Sequence, residues 1–229
     1  MINIEHIETY GWEAAIRGMR NPLNSWDKSD SFPAVNCEKC GRIEREGMCT
    51  AKGRDCTGFE CFYVGNADLK LMQTLIKAGP DHGKFMRMIG ISMDITAPLY
   101  WWKEYDTYKV GTTANSCSTM HKIHAKEFTL DDFSHEHLVG KSVVALKSVI
   151  EAMNHERDCY LATKDKDCWW QMIQLLPSSY NQRRTVTLNY AVARNQYHAR
   201  KAHKLSEWVD YCKVLEGLPY AELITMEGR

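Results

Sequence analysis

The sequence predicts an α+β fold in which helices pack around a small antiparallel sheet. Apolar residues recur every three or four positions through most of the chain, which is typical of amphipathic helices. Only residues 85–95 and 182–189 have the apolar, β-branched or alternating composition of strands. Because the strands are few and long helices separate them, we expect an α+β architecture.

The composition indicates a globular protein, and we expect one domain that covers residues 1–229. The chain is 44% hydrophobic and carries 29 basic and 29 acidic residues. A net charge of zero argues against general nucleic-acid binding and against a membrane-surface protein, because neither long-range attraction is supplied. No apolar run reaches the roughly 18 residues of a membrane span, and the N-terminus lacks a signal-peptide pattern. We therefore expect a cytoplasmic protein.

Helix and strand signals in the N-terminal half are separated by clear breaks. A loop rich in Asn, Ser, Asp and Pro follows the first helix, and a Gly-Pro pair ends the second. The predicted elements are a helix over 9–21, a helix over 67–78 capped by Asn66, a strand within 85–95, and a helix from Pro98 to about Tyr108.

The C-terminal half is expected to be mostly helical, with one strand. The helices are predicted from apolar spacing, and the strand from its β-branched residues. The predicted elements are helices over 135–156 and 160–175, a strand over 182–189, and helices over 190–200 and 203–215.

A Cys-, Gly- and charge-rich insertion occupies about residues 36–62 and has no helical or strand periodicity. Its opening Cys-x2-Cys-Gly places two thiolates suitably for one tetrahedral metal, and a structural zinc ion would order a segment that lacks a core. Free thiols in a loop are the equally weighted alternative. In a cytoplasmic protein we expect the nine cysteines to be thiols or metal ligands, not disulfides. The candidate ligands are Cys37, Cys40, Cys49, Cys56 and Cys61.

Two distant blocks, residues 97–119 and 176–208, carry dense hydrogen-bonding side chains on segments that are otherwise structured. Such groups suit a site for a polar, anionic ligand, and the local basic cluster suits a small phosphorylated molecule. The alternative is structural: Arg200 would pair with a carboxylate such as Glu207, and the asparagines would cap helices or strands.

The C-terminal block has Leu-Pro, an Arg, Thr-x-Asn, a further Asn, and an Arg at the end of a predicted helix. These residues are Leu176, Pro177, Arg183, Thr187, Asn189, Asn195 and Arg200. In this order and spacing they resemble the C-terminal motif of the flavin-dependent thymidylate synthases. The resemblance implies that Asn189 and Asn195 face FAD and that Arg200 lies between the nucleotide base and the flavin ring.

The first block keeps the spacing of the family's signature but not its chemistry. The signature is Arg-His-Arg, seven residues and Ser, after a helix that starts with Ala-Pro. Here Thr107, Tyr108 and Lys109 precede Cys117, with Ser118 as the alternative to Cys117. Replacing a bidentate guanidinium by Thr or Lys weakens phosphate binding, because each charge-assisted hydrogen bond contributes roughly 1.5–3 kcal/mol. We therefore expect dUMP to bind more weakly than in the family; the alternative is that Lys103, Lys122 or Arg184 replaces the lost cations.

The resemblance implies roles for particular residues of this chain. His82 follows a helix and a glycine and would lie near flavin and folate, while Glu104 stands where the family has Gln. The thiol of Cys117 would attack a pyrimidine as the classical synthase's cysteine does, or it is a small residue in a packed turn. The implied FAD-binding residues are His82, Tyr108, Lys109, Asn189 and Asn195, and the implied nucleotide-binding residues are Glu104, Ser118 and Arg183. The resemblance implies Arg200 as a catalytic residue, and Cys117 is a second catalytic candidate because of its thiol chemistry, since the family itself uses no protein nucleophile.

The function implied by the resemblance is flavin-dependent transfer of a one-carbon (methyl) group to a uridine nucleotide such as dUMP, with folate as a possible donor. The family also implies a homotetramer, and the altered signature suggests a fast-diverging phage protein. The alternatives are a non-catalytic nucleotide-binding or interaction protein that kept the fold and lost the flavin, and a zinc-dependent regulator that uses the insertion.

Overall fold

The computed structural model describes residues 2–34 and 61–227, and these form a mixed helix-and-strand structure. A four-stranded antiparallel sheet has the order β1-β4-β6-β5, and β2 and β3 form a separate antiparallel pair. The predicted α+β fold with a small antiparallel sheet is confirmed. The strands are β1 (Asn3–Tyr10), β2 (Phe32–Ala34), β3 (Cys61–Tyr63), β4 (Gly90–Pro98), β5 (Thr113–Ser116) and β6 (Asn181–Asn189).

The helices carry most of the apolar core. Short 3₁₀ segments at Asn21–Leu23, Trp26–Lys28, Gly83–Arg87 and Leu130–Asp132 connect some of them. The α-helices are α1 (Trp12–Arg20), α2 (Asn66–Lys77), α3 (Leu99–Tyr105), α4 (Lys141–Thr163), α5 (Lys166–Leu175), α6 (Tyr190–Arg200), α7 (Ser206–Glu216) and α8 (Glu222–Thr225).

The sequence missed the two strands at the edges of the sheet. In β1, His6 has a φ of 53°, and this left-handed residue interrupts the alternation by which a strand is recognised. All four residues of β5 are exposed, so no apolar residue marks this short strand. Both strands pair through their backbones along one side only, and the composition of the chain does not record such pairing.

The boundary between α4 and α5 differs from the prediction. The expected break between residues 156 and 160 lies inside α4, which continues to Thr163. Lys164 then adopts a left-handed φ of 59°, and the Asp165 side chain caps α5 by accepting a hydrogen bond from Asp167 N. The chain therefore changes direction between α4 and α5 at the left-handed Lys164 and the N-cap Asp165, without a proline or a glycine.

Asn66 does not cap α2, contrary to the prediction. It is the first helical residue, and Gly65 precedes it without a side-chain cap. The Asp30 carboxylate instead accepts from Ala67 N at 2.8 Å and from Asp68 N at 3.1 Å. The first turn of α2 is therefore stabilised by a residue from a distant loop.

The chain divides into two compact units, each with its own core. Unit 1 comprises Asp94–Thr107 and Ala114–Thr185 with the start of the chain, and α4 and α5 pack there around Phe133, Met153 and Met172. The described part of unit 2 lies within Ile4–Met93, Tyr108–Thr113 and Val186–Arg229. Its core includes edge-to-face or tilted contacts of Trp12 with Tyr190 and Tyr220, at centroid distances of 5.1 and 5.2 Å.

The bonding of one cysteine pair differs from the prediction. Cys159 and Cys168 form a disulfide between α4 and α5, so the expectation that every cysteine is a thiol or a metal ligand is wrong. The turn between these helices brings the two residues together, and the expected redox state of the cell compartment does not predict such local geometry.

In the described part of the chain, no helix combines the length and apolarity needed to cross a bilayer.

Candidate functional site

A cavity of about 520 Å³ in unit 2 combines cationic, amide and apolar side chains. One wall is α6, and the other is the segment that links α2 to β4. This volume falls within the range of small-molecule and cofactor sites. The lining residues are Ile76, Gly79, Pro80, Gly83, Met86, Arg87, Ala191, Arg194, Asn195 and His198.

Local sequence features explain both walls. The four residues that α6 contributes have the i, i+3, i+4, i+7 spacing of one helical face. Opposite them, Gly79 ends the α2 region with a φ of 109°, in the left-handed region that favours glycine. Its carbonyl accepts hydrogen bonds from the backbone N–H groups of His82 and Gly83. This tight turn leads directly into the 3₁₀ segment that completes the wall.

Arg194 is the best-anchored cation of the cavity. Its Nη1 donates to the carbonyls of Leu223, Ile224 and Met226 at 3.4, 3.1 and 2.5 Å. Burial lowers the pKa of Arg194 from its ordinary value, but its guanidinium remains protonated at neutral pH. Arg87 adds a second, exposed guanidinium to the lining. The cavity therefore offers positive charge to an anionic ligand.

His198 stands beside Arg194 on the same face of α6. Burial, and then the positive charge of Arg194, hold the pKa of His198 below 6.5, so the ring is neutral at pH 7. Its Nε2 is buried and has no hydrogen-bond partner among the described residues. A buried, unpartnered ring nitrogen in a cavity wall is a natural contact for a bound polar group.

A second feature of unit 2 is a guanidinium enclosed by rings at the end of α6. Arg200 Nε donates to the Tyr108 hydroxyl at 3.0 Å, and Nη1 lies 3.0 Å from His203 Nε2. The guanidinium carbon lies 4.9 Å from the Trp208 ring centroid and 5.7 Å from that of Tyr108. These contacts fix the position of Arg200 and leave a planar cation suited to stacking. The exposed Lys109 follows Tyr108 directly.

The structure distributes the other implied FAD-binding residues around α6. Asn189 caps the helix, because its Oδ1 accepts from Val192 N at 3.0 Å; this is the structural alternative raised from the sequence. Asn195 lies in the cavity wall. His82 is exposed in the turn between two lining residues, and it is not itself part of the lining.

The implied residues of unit 1 occupy different surroundings. Arg183 pairs with Asp94 at 2.8 Å, so this guanidinium is held by a carboxylate of the protein. Cys117 is an exposed free thiol whose backbone N–H donates to Arg183 O at 2.9 Å. Ser118 Oγ accepts from His121 N, and Glu104 is a half-buried residue of α3.

Sequence reasoning missed several residues of these two features. Arg87, Arg194 and His198 were not assigned a role from the sequence. The helical spacing of Arg194, Asn195 and His198 was the available signal, since a helix over 190–200 was already predicted. Of the candidate zinc ligands, Cys61 begins β3, while Cys37, Cys40, Cys49 and Cys56 lie outside the described residues.

The fold is that of the flavin-dependent thymidylate synthases. Two crystal structures of thymidylate synthase X (ThyX) from Helicobacter pylori, both with FAD and dUMP, align with TM-scores of 0.65 and 0.61. Each alignment covers 99% of this chain and 97% of the ThyX chain, at 14% sequence identity. No protein-family model and no curated protein sequence matches the chain. At this identity the likeness concerns the fold.

Proposed function

We propose that the protein is a diverged enzyme of the ThyX type that binds FAD and transfers a one-carbon group to a uridine nucleotide such as dUMP. The observation that carries the proposal is the cavity of about 520 Å³, which joins Asn195 to two arginines and a neutral histidine. The shared fold, and the FAD and dUMP of the ThyX crystals, support this choice of ligands.

The residues of the cavity fit a flavin nucleotide. Ile76, Met86 and Ala191 give an apolar surface for a ring system, and Arg87 and Arg194 suit the negative charge of phosphates. The buried Nε2 of His198, which has no partner among the described residues, is a contact for a polar edge of the ligand. The chemical variety of these side chains matches a ligand that is partly aromatic and partly anionic.

In this proposal the chain binds and orients, and the cofactor supplies the redox chemistry. Bound, reduced FAD would supply hydride. Arg200, whose direction is set by Tyr108 and Trp208, would present a fixed positive charge to the pyrimidine. A cation that is already oriented stabilises developing negative charge without reorganisation. Folate as the donor and a homotetrameric assembly are also part of the proposal, and light scattering of the purified protein tests the latter.

A second candidate is a nucleotide-binding protein without flavin chemistry, and one observation favours it. Arg183, an implied substrate-binding residue, is paired with Asp94, and Thr185 donates to the other oxygen of that carboxylate at 2.5 Å. A guanidinium held in this way is less available to a substrate phosphate. Thr107 and Lys109, which stand where the family signature has two arginines, also favour this second candidate.

The visible absorption spectrum separates the two candidates. We expect purified protein, or protein incubated with FAD and then desalted, to retain a flavin band. We also expect that reduced flavin in the protein is reoxidised when dUMP and a one-carbon folate are both added. A colourless protein that takes up no FAD but binds dUMP would support the second candidate and contradict the first.

Variants of the cavity test where FAD binds. Arg194→Met removes the anchored cation, and we expect FAD affinity to fall about 10–150-fold, which corresponds to one lost charge-assisted hydrogen bond of roughly 1.5–3 kcal/mol. Arg17→Met is the matched control, because Arg17 lies exposed on α1, where it pairs with the equally exposed Glu13. Equal FAD affinity in both variants would remove this cavity from the proposal.

A further inference from the structure

Glu156, Cys159 and Cys168 form a cluster beside the turn between α4 and α5, in unit 1. Each residue offers one ligand atom, and these atoms all lie within 4.8 Å of one another. Cys168 is buried, and the other two are half-buried. We propose that this cluster binds a thiophilic divalent cation such as Zn²⁺ when the two cysteines are reduced. The proposal does not depend on the flavin site.

The two helices hold the cluster in a defined arrangement. Glu156 and Cys159 are three residues apart on α4, so their side chains lie on one face. Cys168 is in the first turn of α5. The connection between them is short, with the left-handed Lys164 followed by the capping Asp165. Because both ends of the turn are fixed, little ordering of the backbone is needed when a cation binds.

The donor set matches the preferences of zinc. Two thiolates and a carboxylate are common zinc ligands, and water supplies the fourth position in open sites. With Zn–S bonds of about 2.3 Å, ligand atoms on a tetrahedral ion lie about 3.8 Å apart. The ligand atoms of Glu156, Cys159 and Cys168 already lie within 4.8 Å of one another, so only a small shift separates them from this spacing once the S–S bond is reduced.

The position of Glu156 favours a cation site over a purely structural disulfide. A disulfide is neutral, so it makes no use of a carboxylate beside its sulfurs. Two thiolates beside that carboxylate would repel it, and a bound cation reverses this repulsion. The half-buried carboxylate is therefore best explained as a third ligand.

The disulfide of the structure and the metal site are alternative states of the same sulfurs. A dithiol that reduces the S–S bond of Cys159 and Cys168 delivers two electrons and two protons, and itself becomes a disulfide. Each resulting thiol then releases its proton when its sulfur binds the cation. Cation binding therefore requires reduction, and it should slow reoxidation.

Residue-resolved alkylation of the full chain tests the proposal. The protein is reduced with a dithiol, desalted without oxygen, incubated with or without Zn²⁺, treated with iodoacetamide, and mapped by peptide mass spectrometry. We expect Zn²⁺ to slow labelling of Cys159 and Cys168 at least tenfold, while the exposed Cys117 reacts equally in both samples. Equal labelling of Cys159 and Cys168 with and without Zn²⁺ would overturn the proposal, whatever the cysteines of residues 36–62 do.

Variants on α4 supply the second test. We expect Glu156→Gln to weaken Co²⁺ binding, followed by thiolate-to-metal charge-transfer absorption, by at least the roughly 10–100-fold that loss of an outer-shell partner costs. Glu151→Gln changes an exposed carboxylate of the same helix and should leave affinity unchanged. Equal affinities for the two variants would exclude Glu156 as a ligand and overturn the three-ligand site. The alkylation map uses the unaltered chain, so it decides the question even if a variant fails to fold.

Discussion

The buried pair of Arg20 and Asp68 offers a sharp test of how the cavity wall is supported. Arg20 Nε donates to Asp68 Oδ1 at 2.6 Å, and the two side chains are 5% and 0% exposed. Ser29 and Ser31 donate to the other oxygen at 2.7 and 2.6 Å. This carboxylate therefore ties α1 and the loop after it to α2, whose C-terminal end leads into the cavity wall.

Asp68→Asn keeps the size of the side chain but removes its charge. Arg20 would then be a buried cation without its counter-ion, and the new amide N–H groups would face donors such as Asp30 N. Breaking a buried pair in this way costs about 3–5 kcal/mol of unfolding free energy. For a chain of this size each kcal/mol corresponds to about 2–4 °C, so the melting temperature should fall by about 6–20 °C.

Urea and thermal unfolding measure this loss, and Glu13→Gln is the control. Glu13 and Arg17 form an exposed pair on α1, with side chains 61% and 64% exposed, and we expect its loss to cost under about 0.5 kcal/mol. A loss below about 1 kcal/mol in Asp68→Asn would refute the assignment of Asp68 as an essential anchor.

The pH dependence of the same variant gives an independent check. Burial alone would raise the pKa of Asp68, but the hydrogen bonds from Ser31, Ser29 and Arg20 outweigh it and hold the pKa below 3.8. The folded state thus binds the proton less tightly than the unfolded state. The contribution of Asp68 to stability is complete above pH 3.8 and is lost as the pH falls through the lowered pKa. The difference between wild type and Asp68→Asn should narrow below pH 3.8.

Three further predictions concern the cavity, the free thiols and one turn. Because the pKa of His198 is below 6.5, the ring gains a positive charge only in more acidic solution, and affinity for an anionic ligand such as FAD should rise as the pH falls below 6.5. His198→Gln should make FAD affinity less dependent on pH. If affinity changes with pH in the same way in wild type and variant, this prediction is wrong. Burial, and then the negative charge of Glu216, raise the pKa of Cys212 to about 11. At pH 8 iodoacetamide should therefore label Cys212 at a rate roughly a thousandfold below that of a fully ionised thiol, while the exposed Cys117 reacts readily. In Gly111→Ala the added Cβ would lie 2.9 Å from a side-chain carbon of Val192, at a backbone φ of 82°. The loss of unfolding free energy, measured by urea unfolding, should therefore exceed the about 1–2 kcal/mol of left-handed strain alone. A loss below about 1 kcal/mol would contradict this expectation.

The parts of the fold that the sequence predicted are those with a strong local period. Helix α6 was predicted over 190–200 and occupies Tyr190–Arg200, because its apolar spacing and the preceding asparagine cap are local signals. Strand β6 was predicted within one residue for a similar reason. Edge strand β5, by contrast, has four exposed residues and no period, so only its pairing in the sheet defines it.

The candidate site was anticipated in its motifs but not in its chemistry. Asn195 and Arg200 were selected because they match the motif of the family that the sequence resembles, and the structure places Asn195 in the cavity wall and Arg200 between aromatic rings. Arg87 was not anticipated, because it comes from the segment before β4, and no short motif links that segment to α6. The assignments of FAD, nucleotide, zinc and cellular location stay predictions.

Local sequence patterns were enough to predict the α+β class, the extent of α6 and the likeness to the ThyX fold, because each depends on residues close together along the chain. The capping of α2 by Asp30 and the hydrogen bond from Arg200 to Tyr108 depend on tertiary packing instead. These pairs are 37 and 92 residues apart, respectively. Contacts over such separations depend on how packed helices and strands bring their side chains together, and local spacing carries no record of that packing.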